Sequence, residues 1–455
     1  MNAPIFLGID LGTSGIRAVA LTERGKLRAV ASHTWAKPQT EPQQWLASLK
    51  QVLRQVKLQL KQEQIVALSI CGTSGTIVPV DAKGHPLDAA WLYDDPRGKA
   101  QAQQLGISSS WGLSRWLWWA QSAPGLYEES YLAHPNDFLL HQLGAEPHVT
   151  DHTSALKSGF DLDSYSWPTD WLASHQLTVE KFPKVVPPGT PLGYVSASWE
   201  LGENVLLVAG LTDGCAGQLA TGAIAPGQVS TSLGTTLIFK AVSQEKIQTA
   251  DRSIYSHLHP DRTSWLPGAA SSCGGGALNH FFPQANLAEL DRAAASLLPT
   301  GLLSYPLWQR GERYPVQQDQ FAGFLPEEEV EPLRFYAALL EGIGFVERLG
   351  LERLQQLGLT FDGPVHTTGG GCRSSLWLTI RANILNRALV LAKYPQPAVG
   401  AAMVAAAGAW QCSVEEAVQK LFQKGETILP EPKRAKRYDG FYQEFLHELK
   451  MRQIT

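Results

Sequence analysis

Apolar residues alternate or run unbroken over residues 5–9 and again over 16–22, on either side of the polar stretch Gly12-Thr13-Ser14-Gly15. That pattern predicts a β-hairpin. From Glu41 to Lys61 the apolar positions Trp45, Leu49, Val52, Leu53, Val56 and Leu60 fall at helical spacing. A buried strand is expected over Ile65–Ile70, ending at the polar glycine turn Cys71-Gly72-Thr73-Ser74-Gly75-Thr76. Val78–Val80, a turn at Asp81-Ala82-Lys83-Gly84 and a further strand follow. A helix leading to a strand that ends in a polar glycine turn is the grammar of α/β folds, in which binding groups gather at the strand ends.

Later in the chain, Ser114–Gln121 places Trp116, Trp118 and Trp119 on one helix, where packing is the expected role and a sugar-stacking platform the alternative. Pro183, Pro187, Pro188 and Pro191 mark an irregular crossing segment. Val205–Ala209 is a strand ending at Gly210-Leu211-Thr212-Asp213-Gly214, and Cys215–Thr221 begins a helix. Leu333–Leu357 has the pattern of a long amphipathic helix, and Val365–Thr368 is a strand before Gly369-Gly370-Gly371-Cys372-Arg373-Ser374-Ser375 and the helix Leu376–Leu385. The Ala-rich stretch Val399–Trp410 is shorter than the roughly 20 apolar residues that span a bilayer, and reads as a buried helix. Pro430-Glu431-Pro432 closes the domain. The last amphipathic segment, Phe441–Arg452, is expected to dock back on the N-terminal domain. The expected division is therefore 1–221, 222–429 and a C-terminal helix within 430–455.

One turn occurs twice. Ile9-Asp10-Leu11-Gly12-Thr13-Ser14-Gly15-Ile16 returns as Thr231-Ser232-Leu233-Gly234-Thr235-Thr236-Leu237-Ile238. A strand entering such a turn offers backbone N–H groups and hydroxyls to a phosphate, and glycine permits close approach. Two unrelated hairpins are the plainer alternative. Where the first copy has Asp10 the second has Ser232. A carboxylate beside phosphate calls for a bridging cation, most simply Mg²⁺ with its remaining waters. Asp213, after a buried strand, is the candidate acid or base, or else a helix cap. Gly274-Gly275-Gly276 before Asn279, and Gly369-Gly370-Gly371, would let a flat ring approach the backbone. Neither a Walker sequence nor a Gly-x-Gly-x-x-Gly fingerprint after a strand is present, which sets aside the two commonest nucleotide folds.

Composition narrows the picture further. A chain of 455 residues suits two domains. With 38 Lys and Arg against 42 Asp and Glu, and only the short run Lys433–Arg437 as a basic stretch, no nucleic-acid partner is expected. Cys71, Cys215, Cys273, Cys372 and Cys412 show no Cys-x-x-Cys spacing, so reduced thiols and a cytoplasmic setting are expected, without zinc, membrane association or a signal peptide.

Taken together, these motifs resemble the FGGY carbohydrate kinases of the actin/hexokinase/Hsp70 ATPase superfamily, in order and over essentially the whole chain. Tyr93-Asp94-Asp95-Pro96-Arg97 resembles the family's Trp-x-Asp-x-Arg motif, with tyrosine in place of tryptophan. Asn136-Asp137-Phe138-Leu139 and Thr150-Asp151-His152-Thr153-Ser154-Ala155 resemble two further segments. The resemblance implies two RNase H-like α/β domains with a central ATP cleft. It implies Asp213 as catalytic base and Asp10 as organiser of Mg²⁺. Gly12, Thr13, Ser14, Gly234, Thr235 and Thr236 would hold the phosphates, with Gly275, Asn279, Gly370, Gly371 and Ser375 on the adenosine side. Asp10, Thr73, Ser74, Asp95 and Asp213 would face the sugar.

The substrate segment departs from the xylulokinase pattern, which has Met-His at Thr73-Ser74 and Asp-Asn at Asp213-Gly214. Thr-Ser looks more like the cyanobacterial and plant branch associated with D-ribulose. The expected reaction is ATP-dependent phosphorylation of the terminal hydroxyl of a ketopentose, D-ribulose ahead of D-xylulose. The alternatives are a kinase for another polyol such as glycerol, or a nucleotide-binding regulator that has lost the activity. A monomer or homodimer is expected.

Overall fold

The structure is a computed structural model that describes residues 3–60, 63–326 and 330–454. The expected helix end at Lys61 lies outside them. By contacts the chain divides into two units. The first comprises 1–222, 260–262 and 396–423; the second comprises 223–259, 263–395 and 424–455.

In the first unit the hairpin forms from β1 (Pro4–Gly12) and β2 (Gly15–Thr22), extended by β3 (Leu27–Thr34). The helix Pro42–Gln59 buries Trp45, Leu49, Val52, Leu53 and Val56, and leads into β4 (Gln64–Gly72). Short strands β5 (Val78–Val80) and β6 (Tyr131–Ala133) pair with each other, as do β7 (Val149–Asp151) and β8 (Lys184–Val186). With β9 (Pro191–Tyr194) and β10 (Leu206–Thr212), the main sheet runs β3-β2-β1-β4-β10-β9. Its centre, β1, β4 and β10, is parallel, so three strands end on one side of the sheet.

The second unit repeats this plan. Its strands are β11 (Val229–Leu233), β12 (Leu237–Ala241), β13 (Ile254–Leu258), β14 (Trp265–Ser271), β15 (Val365–Thr368), β16 (Leu389–Ala392) and β17 (Lys424–Ile428). They form a sheet in the order β13-β14-β12-β11-β15-β16-β17, with β11, β15 and β16 parallel. The helix Pro332–Gln356 covers it with fifteen buried positions, among them Tyr336, Leu340, Phe345 and Leu354.

Four expectations change. No strand follows the Asp81–Gly84 turn: only the single bridging pairs Val80–Pro86 and Ile77–Trp91 form there, because Pro86 lacks an N–H for a ladder. The proline-rich crossing is less irregular than expected, since it contains β8 and β9. The terminal helix starts at Pro432, where proline suits the first helical position, and runs to Met451. It packs in the second unit rather than on the N-terminal domain. Tyr438, Tyr442, Phe445 and Leu449 are buried in that unit's core, and the Tyr438 hydroxyl donates to Glu341 at 2.8 Å. The segment that does return to the first unit is 396–423. There the helix Pro397–Trp410, apolar on every side, lies so close to β1 that a Cβ on Gly8 would stand 1.9 Å from the Ala398 carbonyl oxygen.

The tryptophans of the helix Gly112–Ser122 are packing residues. Trp116 and Trp119 are buried with Trp91, Tyr127 and Phe182 in a separate cluster. Among the described residues no single helix is long and apolar enough to cross a membrane. Pro397–Trp410 and Val414–Leu421 reach that length only as a pair bent by 118°.

Candidate active site

In the first unit the candidate residues follow from strand register. Asp10 on β1 stands opposite Cys71 on the parallel β4, and Cys71 opposite Leu211 on β10. The three strands then release Gly12–Ser14, Thr73–Ser74 and Asp213 from neighbouring ends. Asp213 occupies the first position of the helix Asp213–Ala220, with Thr212 as its N-cap residue. Its Oδ1 accepts the Gly214 N–H at 2.7 Å.

Asp10 is poorly solvated and close to a second carboxylate. Burial, and then the charge of Asp213, push its pKa up to about 6, against the smaller opposing effects of a Cys71 hydrogen bond and Arg17. The Cys71 thiol donates to Asp10 Oδ1 at 3.6 Å and is itself pushed well up by burial and both carboxylates. Arg17, exposed on β2 directly across from Asp10, is the nearby cation. Two carboxylates converging where a cation and a phosphate would meet is a pairing that folding alone would avoid.

The first turn is tight. Gly12 pairs with Gly15, leaving Thr13 half-buried and Ser14 exposed at a two-residue tip. A Cβ on Gly15 would meet the His33 carbonyl oxygen at 2.3 Å, whereas one on Gly12 would meet nothing nearer than 3.7 Å, so Gly12 leaves the turn open to a ligand.

The β4 turn and β10 end are held from behind by a buried polar network. Asp151 Oδ1 accepts the N–H groups of Thr153 and Ser154 at 2.8 and 3.0 Å, and its Oδ2 accepts the Ser154 hydroxyl at 2.6 Å and Asn136 Nδ2 at 3.1 Å. Thr153 Oγ1 donates to Asp151 and accepts the Thr212 N–H at 2.8 Å, one residue before Asp213. Burial and the charge of Asp137 raise the Asp151 pKa despite these donors. His134 bridges Asp137, Thr150 and Ser158 at 2.8–2.9 Å. Thr73 Oγ1 donates to Thr76 at 2.8 Å. The hydroxyls of Ser74 and Thr212 are buried without a partner among the described residues. An unpartnered buried hydroxyl calls for an explanation, and a bound polyol supplies one. Asp95 caps the turn Pro96–Gly98 and accepts Arg97 Nε at 2.9 Å; that guanidinium lies 5.1 Å over Trp118.

In the second unit, Leu233 pairs with Leu237 and leaves a three-residue turn, Gly234-Thr235-Thr236, with Thr235 exposed. Both glycine runs pack on this turn. Gly275 N–H donates to Gly234 O at 2.8 Å and Gly276 N–H to Thr235 O at 3.0 Å. A Cβ on Gly369, whose φ is +97°, would stand 2.4 Å from the Leu233 carbonyl oxygen. At Gly274, Gly275, Gly276, Gly369 and Gly371, the close approach expected for a flat ring is taken by the protein's own chain, because the second turn needs support on both sides. Gly370 has only the Arg373 guanidinium within 4 Å and is exposed. Asn279 and Ser375 are exposed on the helices that follow the two runs.

The first unit thus brings together Asp10, Gly12, Thr13, Thr73, Ser74 and Asp213, with Ser14 at the hairpin tip. The second gathers Gly234, Thr235, Thr236, Gly275 and Gly371, with Asn279, Gly370 and Ser375 at the margin. Reading the sequence missed Cys71 and Arg17, both recoverable from the register opposite Asp10. It also missed Arg115, a fully buried cation on the helix Gly112–Ser122. Among the described residues no group of three or more His, Cys, Asp or Glu could hold a metal. Asp10 fits a Mg²⁺ ion that arrives with the nucleotide and its waters, rather than a resident metal.

Comparison with known proteins identifies the family. Residues 5–220 match the model of the N-terminal domain of the FGGY family of carbohydrate kinases, and residues 229–409 that of the C-terminal domain. A xylulose kinase of Staphylococcus epidermidis is 24% identical, with 97% of this chain and 96% of that protein covered. The crystal structure of a xylulose kinase from Rhodospirillum rubrum superposes with a TM-score of 0.86 at 24% identity, covering 98% of both chains. A gluconate kinase from Lactobacillus acidophilus reaches the same TM-score at 18% identity, covering 99% of this chain and 98% of that one. Two domain models in order, over an α/β fold whose two sheets share one plan, place this chain in the FGGY family of carbohydrate kinases.

Proposed function

We propose that this carbohydrate kinase transfers the γ-phosphoryl group of Mg·ATP to the terminal hydroxyl of a ketopentose, D-ribulose ahead of D-xylulose. The observation that carries the reading is the convergence of Asp10 and Asp213 at the ends of β1 and β10, close enough for one charge to raise the other's pKa. Asp213 accepts the proton of the sugar hydroxyl as its oxygen bonds to the γ-phosphorus and the bond to the ADP oxygen breaks. Asp10 faces the Mg²⁺ that comes with ATP, an ion that neutralises charge on the phosphates. Gly12, Thr13, Ser14, Gly234, Thr235 and Thr236 hold the phosphates through N–H groups and hydroxyls. Asn279, Gly370 and Ser375 serve the adenosine side, and Gly275 and Gly371 support it from behind by packing on the second phosphate turn. Thr73, Ser74 and Asp95 orient the sugar.

Preference for D-ribulose rests on the short, unpartnered Ser74 hydroxyl, and on Gly214, which adds no side chain next to Asp213. The names of relatives such as the Staphylococcus epidermidis enzyme favour D-xylulose as the second reading. Fold does not choose between acceptors, since a gluconate kinase superposes as well as a xylulose kinase. A cytoplasmic setting and a monomer or homodimer belong to the same reading.

ADP release is to be measured with Mg·ATP and D-ribulose, D-xylulose, L-ribulose, glycerol, D-gluconate or no sugar. Stimulation by D-ribulose above D-xylulose is expected. Asp213→Asn should lower kcat by about 10²–10⁴-fold while nucleotide still binds. Equal, low release in every condition would refute the acceptor assignment.

A further inference from the structure

We propose that Arg115 is a positioning residue that sets sugar specificity by clamping together the two segments assigned to the acceptor. Its side chain is fully buried and forms no ion pair among the described residues. Instead the guanidinium is bound by carbonyl oxygens. Nη2 donates to Gly75 O at 2.7 Å and Ser110 O at 3.4 Å; Nη1 donates to Ser109 O at 2.6 Å and Tyr93 O at 3.4 Å. Nε has no partner among the described residues. Burial lowers the Arg115 pKa to about 10, opposed by the charges of Asp95 and Asp94, so the group stays charged at neutral pH.

A buried cation without a carboxylate stabilises a fold poorly, because carbonyl dipoles replace only part of its hydration. What the guanidinium supplies is a planar fork that grips several backbones at once. Gly75 directly follows Ser74, and Tyr93 opens the segment that carries Asp95. Gly75 adopts φ +86°, and a Cβ there would stand 2.3 Å from the Ser110 carbonyl oxygen, so the clamped backbone has no slack. Ser74 Oγ has no partner of its own, so its aim depends on this backbone alone. The tie between Arg115 and Gly75 thus restrains where the Ser74 hydroxyl points, together with the Thr73–Thr76 hydrogen bond across the same turn, and the Tyr93 contact links Asp95 to the same frame.

The inference rests on the acceptor reading above. Its test compares wild type, Arg115→Met and Arg115→Lys as full-length proteins, with KM for D-ribulose, D-xylulose and ATP, kcat and thermal unfolding for each. The methionine variant removes charge and donors at similar length. The lysine variant keeps the buried charge with a shorter reach, and so preserves the test if the first does not fold. The expected result is a rise of about tenfold or more in sugar KM, ATP KM within about twofold, and a D-ribulose to D-xylulose ratio of kcat/KM moved toward one. Equal rises in sugar and ATP KM, or a lowered unfolding temperature with unchanged sugar KM, would make Arg115 a purely structural residue. A wild type that turns over no ketopentose would refute the acceptor reading and this proposal together. A wild type with clear ketopentose activity and variants of unaltered selectivity would refute the present proposal alone.

Discussion

Burial and the Asp213 carboxylate hold the pKa of Asp10 near 6 in the folded chain, against about 3.9 when unfolded. The native state therefore keeps this proton longer than the unfolded state. The resulting stabilisation is complete below about pH 4 and is lost as pH rises through 6, by about 3 kcal/mol at most. Asp10→Asn has no such charge to desolvate. Without nucleotide, its unfolding temperature should match wild type near pH 4 and exceed it at pH 7.5; parallel curves at both values would remove the basis for the Asp10–Asp213 coupling. Both acids stood out in the sequence, Asp10 two residues before the Gly12 turn and Asp213 directly before Gly214, each at the end of an apolar run. Cys71 and Arg115 did not. A thiol at the end of an apolar run reads as strand core, and a cation within a helix reads as solvent-facing, so only register and burial reveal their contacts.

Among the elements, the helix Pro397–Trp410 shows how small residues set distance. Gly8 on β1 faces the backbone of Ala398 and Ala402, Gly400 faces the Ala216 carbonyl, and Gly408 faces the Val208 methyls. A methyl at Gly8 has no flexible neighbour to displace, so Gly8→Ala should cost about 1–3 kcal/mol or more, read as a lowered denaturant midpoint. Gly125→Ala, with open space around it, should change stability by less than about 0.5 kcal/mol. Equal midpoints for the two variants would mean that the helix can retreat from the sheet. The helix itself was legible from composition, but its partner was not: with no polar face, nothing in its pattern says which sheet it covers. Pro432 misled for a related reason, because proline both ends and begins helices.

In the whole molecule the two units are interleaved rather than consecutive. The first is completed by residues 396–423, after most of the second has intervened. Residues 1–222 produced alone should lack a cooperative unfolding transition by circular dichroism, whereas the same fragment joined by a flexible linker to 396–423 should regain one. A cooperative transition in the short fragment would show that the return segment is dispensable. The shared sheet plan was foreshadowed by the repeated Leu-Gly-Thr turn, but the crossing back was not, since chain order says nothing about a distant segment's destination. Interleaving also has a consequence for synthesis. A ribosome adding about 5–20 residues per second needs roughly 10–40 s to make the approximately 200 residues between the end of the first stretch and the end of its cover. For that interval the apolar face of the nascent β1–β4–β10 sheet lacks its helix, which makes this early half of the chain the natural client of a holding chaperone and the stretch where slowed translation would cost most in yield.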